Sequence, residues 1–361
     1  EPLQLTVDTD IQFLIREELI KFHSVFRSKG STVILMNVNN GEIISMVSYP
    51  DFDLNKRETV SDVNFINRAT KGVYELGSVF KTFTVAAGLE KGLIKTDTEF
   101  LNLEKRLRCG KSIISEYDKK IPTDITVEQI LIRSGNIGSV RIGQKLEIEK
   151  LKLFLEKIGV LSKIDFDIEE VGEPIPFRWG KCKLATVSFG HGITTTPLQL
   201  GKGYAIIANG GFEIKPSLIK KDLEYNQNQK RIIKKGVSKK INKILRKVVT
   251  TKEGTAGLAN IKGYEVGGKT GTAEKAIVGG YTRKAKVNTF VSIFPTSKPK
   301  YVMVVLLDEP KTSEDYIYKY KNKSGSYKGT PFNTAGWTSV EVTGKIIERI
   351  GPILATKYME N

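Results

Sequence analysis

The stretch Gly77-Ser78-Val79-Phe80-Lys81 opens a run of helically spaced apolar residues that continues with Phe83 and Ala87. This spacing predicts a buried helix that begins near Ser78. Ser78 and Lys81 are three residues apart, so their side chains fall on one helical face. A lysine can take the proton of a serine only if burial or a nearby cation lowers the lysine's pKa. The stretch therefore predicts a nucleophilic serine with a lysine base, although S-x-x-K alone is also typical of a capping serine beside a surface lysine.

A second motif, Ser134-Gly135-Asn136, directly follows a predicted helix, Val127–Arg133, whose start has a candidate capping box at Thr126 and Gln129. A serine hydroxyl can relay a proton, and an asparagine side chain can hydrogen-bond an amide of a substrate. Ser-Gly-Asn is also a common turn, so this motif alone leaves both interpretations open.

The third motif is Gly267-Gly268-Lys269-Thr270-Gly271-Thr272, at the start of a predicted strand. A row of glycines there lets a substrate backbone approach closely, and an exposed strand can pair with an extended peptide. Lys269 and the hydroxyls of Thr270 and Thr272 can hold a carboxylate. The alternative is a glycine-rich bulged edge strand without a ligand.

In the order S-x-x-K, S-x-N, K-T-G, the three motifs resemble the set shared by penicillin-binding proteins and class A β-lactamases. The interval between Ser134 and Lys269 is longer than expected for a compact class A β-lactamase. No glutamate between these two residues has the setting of the deacylating loop of those enzymes.

The resemblance covers essentially the whole chain and is to the transpeptidase domain of class B penicillin-binding proteins, with the division (FtsI-like) branch favoured over the elongation branch. Leu76 replaces the proline that usually precedes Gly77, a modest departure. The blocks that carry the wider resemblance are Thr6-Val7-Asp8 with Ile11-Gln12, Asn40-Gly41-Glu42-Ile43, Asn67-Arg68-Ala69, Tyr74-Glu75-Leu76-Gly77, Ser188-Phe189-Gly190-His191-Gly192 and Thr196-Pro197-Leu198-Gln199-Leu200.

Strands are predicted at both ends of the chain, with helices between them. Two strands, near 31–36 and 42–48, flank Asn39-Asn40-Gly41, which supplies the positive-φ residues of a tight hairpin. Three more, at 269–273, 286–294 and 300–307, predict an antiparallel meander. The expected fold is α/β, an α+β sandwich of the penicillin-binding and β-lactamase type, with an antiparallel sheet between helices. We expect one domain, 1–361, with a sheet-bearing lobe (1–75 and 200–361) and an inserted, mostly helical lobe (76–199).

The resemblance implies a serine-type D-Ala-D-Ala transpeptidase that crosslinks peptidoglycan stem peptides and that β-lactams acylate. It implies catalytic roles for Ser78, Lys81, Ser134 and Lys269, with no cofactor and no metal. Substrate-binding roles fall to Asn136, Thr270, Gly271 and Thr272, and the oxyanion hole to the backbone N–H groups of Ser78 and Thr272. His191 is expected to be a structural or rim residue rather than a catalytic base.

The resemblance also implies septal synthesis at the periplasmic face of the bacterial inner membrane, with a membrane anchor outside this fragment and a glycan polymerase of the division machinery as partner. The same motifs fit a D,D-carboxypeptidase, a β-lactamase or a β-lactam-sensing domain. The net charge of +17 makes a nucleic-acid-binding protein a further alternative, but no compact basic helix or RNA-binding signature supports it.

Two cysteines and two histidines, Cys109, Cys182, His23 and His191, are too few for a disulfide framework or a typical zinc site. A single disulfide bond between Cys109 and Cys182 is expected less than two free thiols. The polar stretches 222–240 and 311–330 are expected to be mobile, the second as a flexible rim loop; stacking of its four tyrosines on nucleic-acid bases is the less favoured alternative.

Overall fold

A computed structural model of the chain describes residues 2–53, 55–56, 62–110, 112–220, 230–277, 280–319 and 325–358. Its helices are α1 (Thr9–Val25), α2 (Asp62–Phe65), α3 (Lys81–Glu90), α4 (Val127–Arg133), α5 (Asn136–Lys157), α6 (Lys181–Val187), α7 (Pro197–Ala208), α8 (Lys235–Thr250) and α9 (Ser339–Tyr358). Its strands are β1 (Gly30–Asn37), β2 (Ile43–Tyr49), β3 (Tyr74–Glu75), β4 (Glu99–Phe100), β5 (Arg106–Cys109), β6 (Ser112–Ser115), β7 (Ile125–Thr126), β8 (Thr194–Thr195), β9 (Gly267–Ile277), β10 (Gly280–Phe294), β11 (Tyr301–Asp308), β12 (Ile317–Lys319) and β13 (Ser326–Lys328).

The central sheet has five antiparallel strands in the order β2-β1-β11-β10-β9. Strands β1 and β11 are buried along almost their whole length and share apolar centres, as expected for strands covered by helices on both faces. The predicted hairpin and meander are confirmed, and the pairing of β1 with β11 joins the two distant ends of the chain. In the hairpin turn, Gly41 has a positive φ of 80° and the two preceding asparagines do not, so glycine alone supplies that conformation.

Helices cover both faces of this sheet. The first face packs against α1 and α9, which also contact each other, and the second packs against α7. Helix α8 contacts α7 and the edge strand β9. The expected antiparallel sheet between helices is therefore the fold of the chain.

Residues 76–199 contain α3 to α6 and the two-stranded sheets β4-β7 and β5-β6. They also contain β8, which pairs with β3 just before this region. Helix α3 packs along α5, and α5 along α6, so this region is mostly helical, as expected. The division into lobes 1–75 plus 200–361 and 76–199 remains our proposal; α7 runs across its boundary. None of the helices in the described ranges is both apolar enough and long enough to cross a bilayer.

The two stretches expected to be mobile differ from that expectation where the structure describes them. Residues 221–229 lie outside the described residues, but Lys235–Thr250 form α8, whose apolar side chains are buried on the domain. In the second stretch Tyr318 is fully buried against Trp337 and donates a hydrogen bond to its carbonyl oxygen (2.8 Å). The prediction of a flexible loop is therefore wrong for the described residues around Tyr318, because aromatic packing holds them in place; Tyr320 lies outside the described residues.

The expectation that Cys109 and Cys182 are not bridged is wrong. Cys109, at the end of β5, and Cys182, in the first turn of α6, form a disulfide bond. A pair of cysteines 73 residues apart carries no local signal of such a bond, because only the packing of the hairpin against α6 brings them together.

Candidate active site

The turn that carries Ser78 is fixed by its own backbone and by the sheet edge. Gly77 has a φ of +63°, and Gly77–Phe80 form a 3₁₀ turn that continues into α3. The prediction that Ser78 begins a buried helix is confirmed, with a tighter first turn. The hydroxyl of buried Tyr204 donates to the carbonyl oxygen of Val79 (2.7 Å), which holds the turn from the core side.

Edge strand β9 lies directly against this turn. A Cβ on Gly271 would lie 2.1 Å from the carbonyl oxygen of Leu76, and one on Gly77 would lie 3.1 Å from that of Thr272. A Cβ on Gly268 would lie 2.4 Å from the carbonyl oxygen of Val291 on the neighbouring strand, β10. These glycines therefore admit the protein's own backbone, whereas the sequence suggested that they admit a substrate. The contact also brings the backbones at Ser78 and Thr272 together.

Lys81 is fully buried on the first turn of α3. Its ammonium group donates to the carbonyl oxygen of Ser134 (2.5 Å), to Ser134 Oγ (3.2 Å) and to Asn136 Oδ1 (2.7 Å). Burial disfavours the charged form and lowers the pKa of Lys81 to about 7. In the described residues no hydrogen bond joins Lys81 to the hydroxyl of Ser78, and such bonds often tighten only when substrate is bound.

Ser134 ends α4 in the left-handed conformation, with a φ of 61°. This conformation closes the helix, since the N–H of Gly135 returns to the carbonyl oxygen of Ile130 (2.8 Å). The predicted capping box at Thr126 and Gln129 is confirmed at the other end of the same helix. Local sequence thus defines both ends of α4, and Ser134 lies at the second of them.

Lys269 completes the cluster from β9. It is fully buried and donates to Ser134 Oγ (2.8 Å), so the hydroxyl lies between two amines. Burial, and next the positive charge of Lys81, hold the pKa of Lys269 well below its usual value. Burial is thus the main cause of the lowered pKa of both lysines. Lys81, Ser134 and Lys269 therefore form a chain of amine, hydroxyl and amine along which a proton can move.

The other motif residues have partners of their own. Thr270 Oγ1 is 2.7 Å from Thr255 Oγ1, and Thr272 Oγ1 accepts from the N–H of Ala335 (2.9 Å), which leaves the Thr272 hydroxyl proton free to donate. Asn136 begins α5 and donates through Nδ2 to the carbonyl oxygen of Ser115 (2.7 Å). Sequence patterns contained no signal for Thr255 or Ala335, which come from loops distant in sequence.

Glu116 is a further residue that sequence analysis missed. Its carboxylate accepts the N–H groups of Asn136 (2.6 Å) and Ile137 (2.8 Å) at the start of α5. The residue before that helix is Gly135, which has no side chain to accept these bonds. A lone glutamate after a short strand has no distinguishing pattern, so only the tertiary structure identifies it.

His191 lies at the rim of the site, with 41% of its side chain exposed. Its Nδ1 is 3.7 Å from the carboxylate of Glu75, and its ring packs beside Tyr281. No serine partner of His191 is present in the described hydrogen bonds, so a serine–histidine pair has no support there.

Within the described ranges no group of three His, Cys, Asp or Glu side chains could hold a metal ion.

Comparisons with known proteins show which family has this sequence and this fold. The family model described as "Penicillin binding protein transpeptidase domain" matches residues 31–332. The probable peptidoglycan D,D-transpeptidase FtsI of Caulobacter vibrioides is 32% identical over 99% of this chain and 59% of that protein. Stage V sporulation protein D of Bacillus subtilis is 32% identical over 86% of this chain and 50% of that protein. The chain thus spans between half and three fifths of the length of these two relatives.

The fold is also that of a solved structure, the apo transpeptidase domain of Burkholderia pseudomallei penicillin-binding protein 3. The TM-score is 0.82 at 24% identity, and the match covers 98% of this chain and 96% of that one. The family model covers most of the sequence and includes all three motifs. The chain therefore belongs to the penicillin-binding protein transpeptidase domain family.

Proposed function

We propose that the chain is the acyl-transfer domain of a peptidoglycan D,D-transpeptidase. The observation that carries this proposal is the buried arrangement of Lys81, Ser134 and Lys269, in which Ser134 Oγ lies 3.2 Å from Lys81 Nζ and 2.8 Å from Lys269 Nζ. A surface lysine beside a capping serine would be solvated and protonated. A buried pair of amines with lowered pKa values supplies a base at neutral pH.

In the proposed reaction Ser78 Oγ attacks the carbonyl carbon between the two terminal D-alanines of a stem peptide, and neutral Lys81 takes the hydroxyl proton. The backbone N–H groups of Ser78 and Thr272 stabilise the oxyanion. Ser134 passes a proton to the amine of the departing D-alanine as the amide bond breaks. An amine of a second stem then attacks the acyl-serine ester, which forms the crosslink and releases Ser78.

Substrate placement in this proposal uses the remaining motif residues. Asn136 orients the donor amide, while Lys269, Thr270 and Thr272 face the terminal carboxylate, with Gly271 allowing β9 to lie beside the turn. A β-lactam carries a reactive amide beside a carboxylate, so it would acylate Ser78 in the same way. Septal synthesis, periplasmic placement, an anchor outside these residues and a glycan polymerase partner also belong to the proposal, supported by the FtsI name of the Caulobacter relative.

The experiment that tests this function offers the purified domain a stem pentapeptide ending in D-Ala-D-Ala, with and without a second stem peptide as the amine acceptor. We expect release of D-alanine together with a crosslinked dimer detected by mass spectrometry. Release of D-alanine with hydrolysed donor alone would instead indicate a D,D-carboxypeptidase. Rapid turnover of penicillin would indicate a β-lactamase, and a stable penicillin adduct without any peptide reaction would indicate a sensor.

The pH dependence of acylation is a prediction of the same site. Lys81 accepts the serine proton only when neutral, and its pKa is about 7. The rate of acylation by penicillin should therefore fall about tenfold for each pH unit below this value and level off above it. Stopped-flow measurement with a fluorescent penicillin between pH 5 and 9 checks this. A flat profile across pH 7 would contradict the assignment of Lys81 as the base.

A further inference from the structure

The hairpin of β5 and β6 stands beside the candidate site and leads directly into Glu116. Each strand has four residues, and an isolated hairpin of this size is marginally stable in water. Ile114 is buried against Ile137, Val140 and Ala185, whereas Ile113 is 62% exposed. Leu107 of β5 is only partly buried against the same cluster, so the apolar attachment of the hairpin is small and a further anchor strengthens it.

The disulfide provides that anchor. It joins Cys109, at the end of β5, to Cys182 in the first turn of α6. Helix α6 is in turn tied to α3, because Thr84 Oγ1 donates to the carbonyl oxygen of Ser188 (2.9 Å), the residue that follows α6. The hairpin is therefore attached by a covalent bond to α6 and, through the Thr84–Ser188 hydrogen bond, to α3, the helix that carries Lys81.

The other end of the hairpin holds Asn136. Glu116 accepts the first two N–H groups of α5, and the carbonyl oxygen of Ser115 accepts from Asn136 Nδ2. These bonds fix both the backbone and the side-chain amide of Asn136. Its remaining polar atom, Oδ1, faces Lys81 Nζ at 2.7 Å. The contacts thus form a closed circuit from α3 through α6, the disulfide and the hairpin to Asn136, and back to Lys81.

We infer that Glu116 is a positioning residue for acyl transfer, and that the Cys109–Cys182 disulfide keeps it in place, so that reduction of this bond slows acylation of Ser78. The inference rests on the proposed function. Reduction by a dithiol adds two electrons and two protons to the S–S bond, which gives two thiols and the oxidised reductant. Cys182 is exposed and Cys109 half-buried, so the bond is accessible to such a reductant.

Glu116 acts on the site in two separable ways. Its hydrogen bonds set the position of Asn136, and its negative charge favours the protonated form of Lys81, which raises the pKa of that lysine against the larger effect of burial. A residue with only a structural role would change the rate of acylation without changing its pH dependence. The midpoint of the pH profile therefore distinguishes the two roles.

The first experiment compares acylation by a fluorescent penicillin in the wild type, Glu116→Gln and the control Glu149→Gln, which removes an exposed carboxylate of α5, the helix whose first N–H groups Glu116 accepts. We expect Glu116→Gln to lower the plateau rate about tenfold, since small displacements of catalytic groups have effects of this order or larger. We also expect its pH midpoint to move below that of the wild type, because Lys81 loses a favourable negative charge. Glu149→Gln should match the wild type in both.

The second experiment uses the disulfide. Wild-type protein is measured oxidised and after treatment with dithiothreitol, with free thiols counted by mass spectrometry after alkylation of a parallel sample. The double variant Cys109→Ser/Cys182→Ser is measured with and without the reductant. We expect reduced wild type and the double variant to be acylated at similar, about tenfold lower rates, and the double variant to be unaffected by reductant.

Two results would overturn the inference. One is that fully reduced wild type is acylated as fast as the oxidised protein; the other is that Glu116→Gln changes neither the rate nor the midpoint. If the double variant does not fold, Glu116→Gln and the reduced wild type still decide. Absence of any adduct on oxidised wild type would defeat the proposed function itself, whereas normal wild-type acylation with unaffected variants would defeat only this inference.

Discussion

Lys81→Met should abolish most acylation while leaving the fold intact. Methionine has a similar length and no charge, so it fills the same buried space without a base. General-base catalysis contributes on the order of 10²–10⁴-fold, and we expect the second-order rate of acylation by penicillin to fall about 10³-fold. Stopped-flow fluorescence at pH 8, where the wild type has reached its plateau, measures this directly.

The same variant should keep or raise the melting temperature. The pKa of Lys81 is about 7 in the folded protein, below its ordinary value of 10.5, so the unfolded chain binds more protons between these two pH values. Wild-type stability contributed by this group is therefore lowest below pH 7 and increases as the pH rises towards 10.5. Methionine removes this penalty, which offsets the loss of three hydrogen bonds.

Lys91→Met is the matched control, because Lys91 is exposed and directly follows the same helix. It should leave both acylation and melting temperature unchanged. A Lys81→Met protein that is folded and acylated at the wild-type rate would show that another group takes the proton of Ser78.

Gly190→Ala should damage both stability and the site. Gly190 has a φ of +89°, and a Cβ there would lie 1.9 Å from the carbonyl oxygen of Gly77, the residue before Ser78. Neither atom can move without moving the turn that carries the nucleophile. We expect the free energy of unfolding to fall by about 3 kcal/mol or more, in the range of the larger backbone effects. Because the displaced turn carries Ser78, acylation of the folded fraction should fall about 100-fold.

Gly92→Ala separates the two causes. Gly92 also has a positive φ, +69°, but nothing lies within 4 Å of the added Cβ. This variant should lose about 1 kcal/mol from backbone conformation alone and should be acylated normally. Urea unfolding with the acylation assay compares the pair; equal effects of the two substitutions would contradict the role of the Gly190–Gly77 contact.

Local patterns predicted much of the fold. The capping box at Thr126 and Gln129 and the apolar centres of β1 and β11 each depend on residues close in sequence, so their spacing was sufficient. The clustering of Lys81, Ser134 and Lys269 was predicted through resemblance to a family rather than through spacing, since 135 residues separate Ser134 from Lys269. Their catalytic roles remain predictions.

The features that sequence analysis missed depend on contacts between distant segments. Glu116 is recognisable only because β6 ends beside the start of α5, and Thr255 only because its loop lies next to Thr270. The 311–330 stretch was misjudged because its polar composition suggested mobility, whereas Tyr318 packs against Trp337. Composition does not reveal which tyrosines of a polar segment become buried.

The most direct test of the central claim is to locate the penicillin adduct. Wild-type protein and Ser78→Ala are incubated with a fluorescent penicillin, and the labelled wild-type protein is digested and sequenced by tandem mass spectrometry. We expect one stable adduct on Ser78 and no labelling of a folded Ser78→Ala protein. Labelling of the variant at the wild-type rate, or an adduct on another residue such as Ser134, would contradict it.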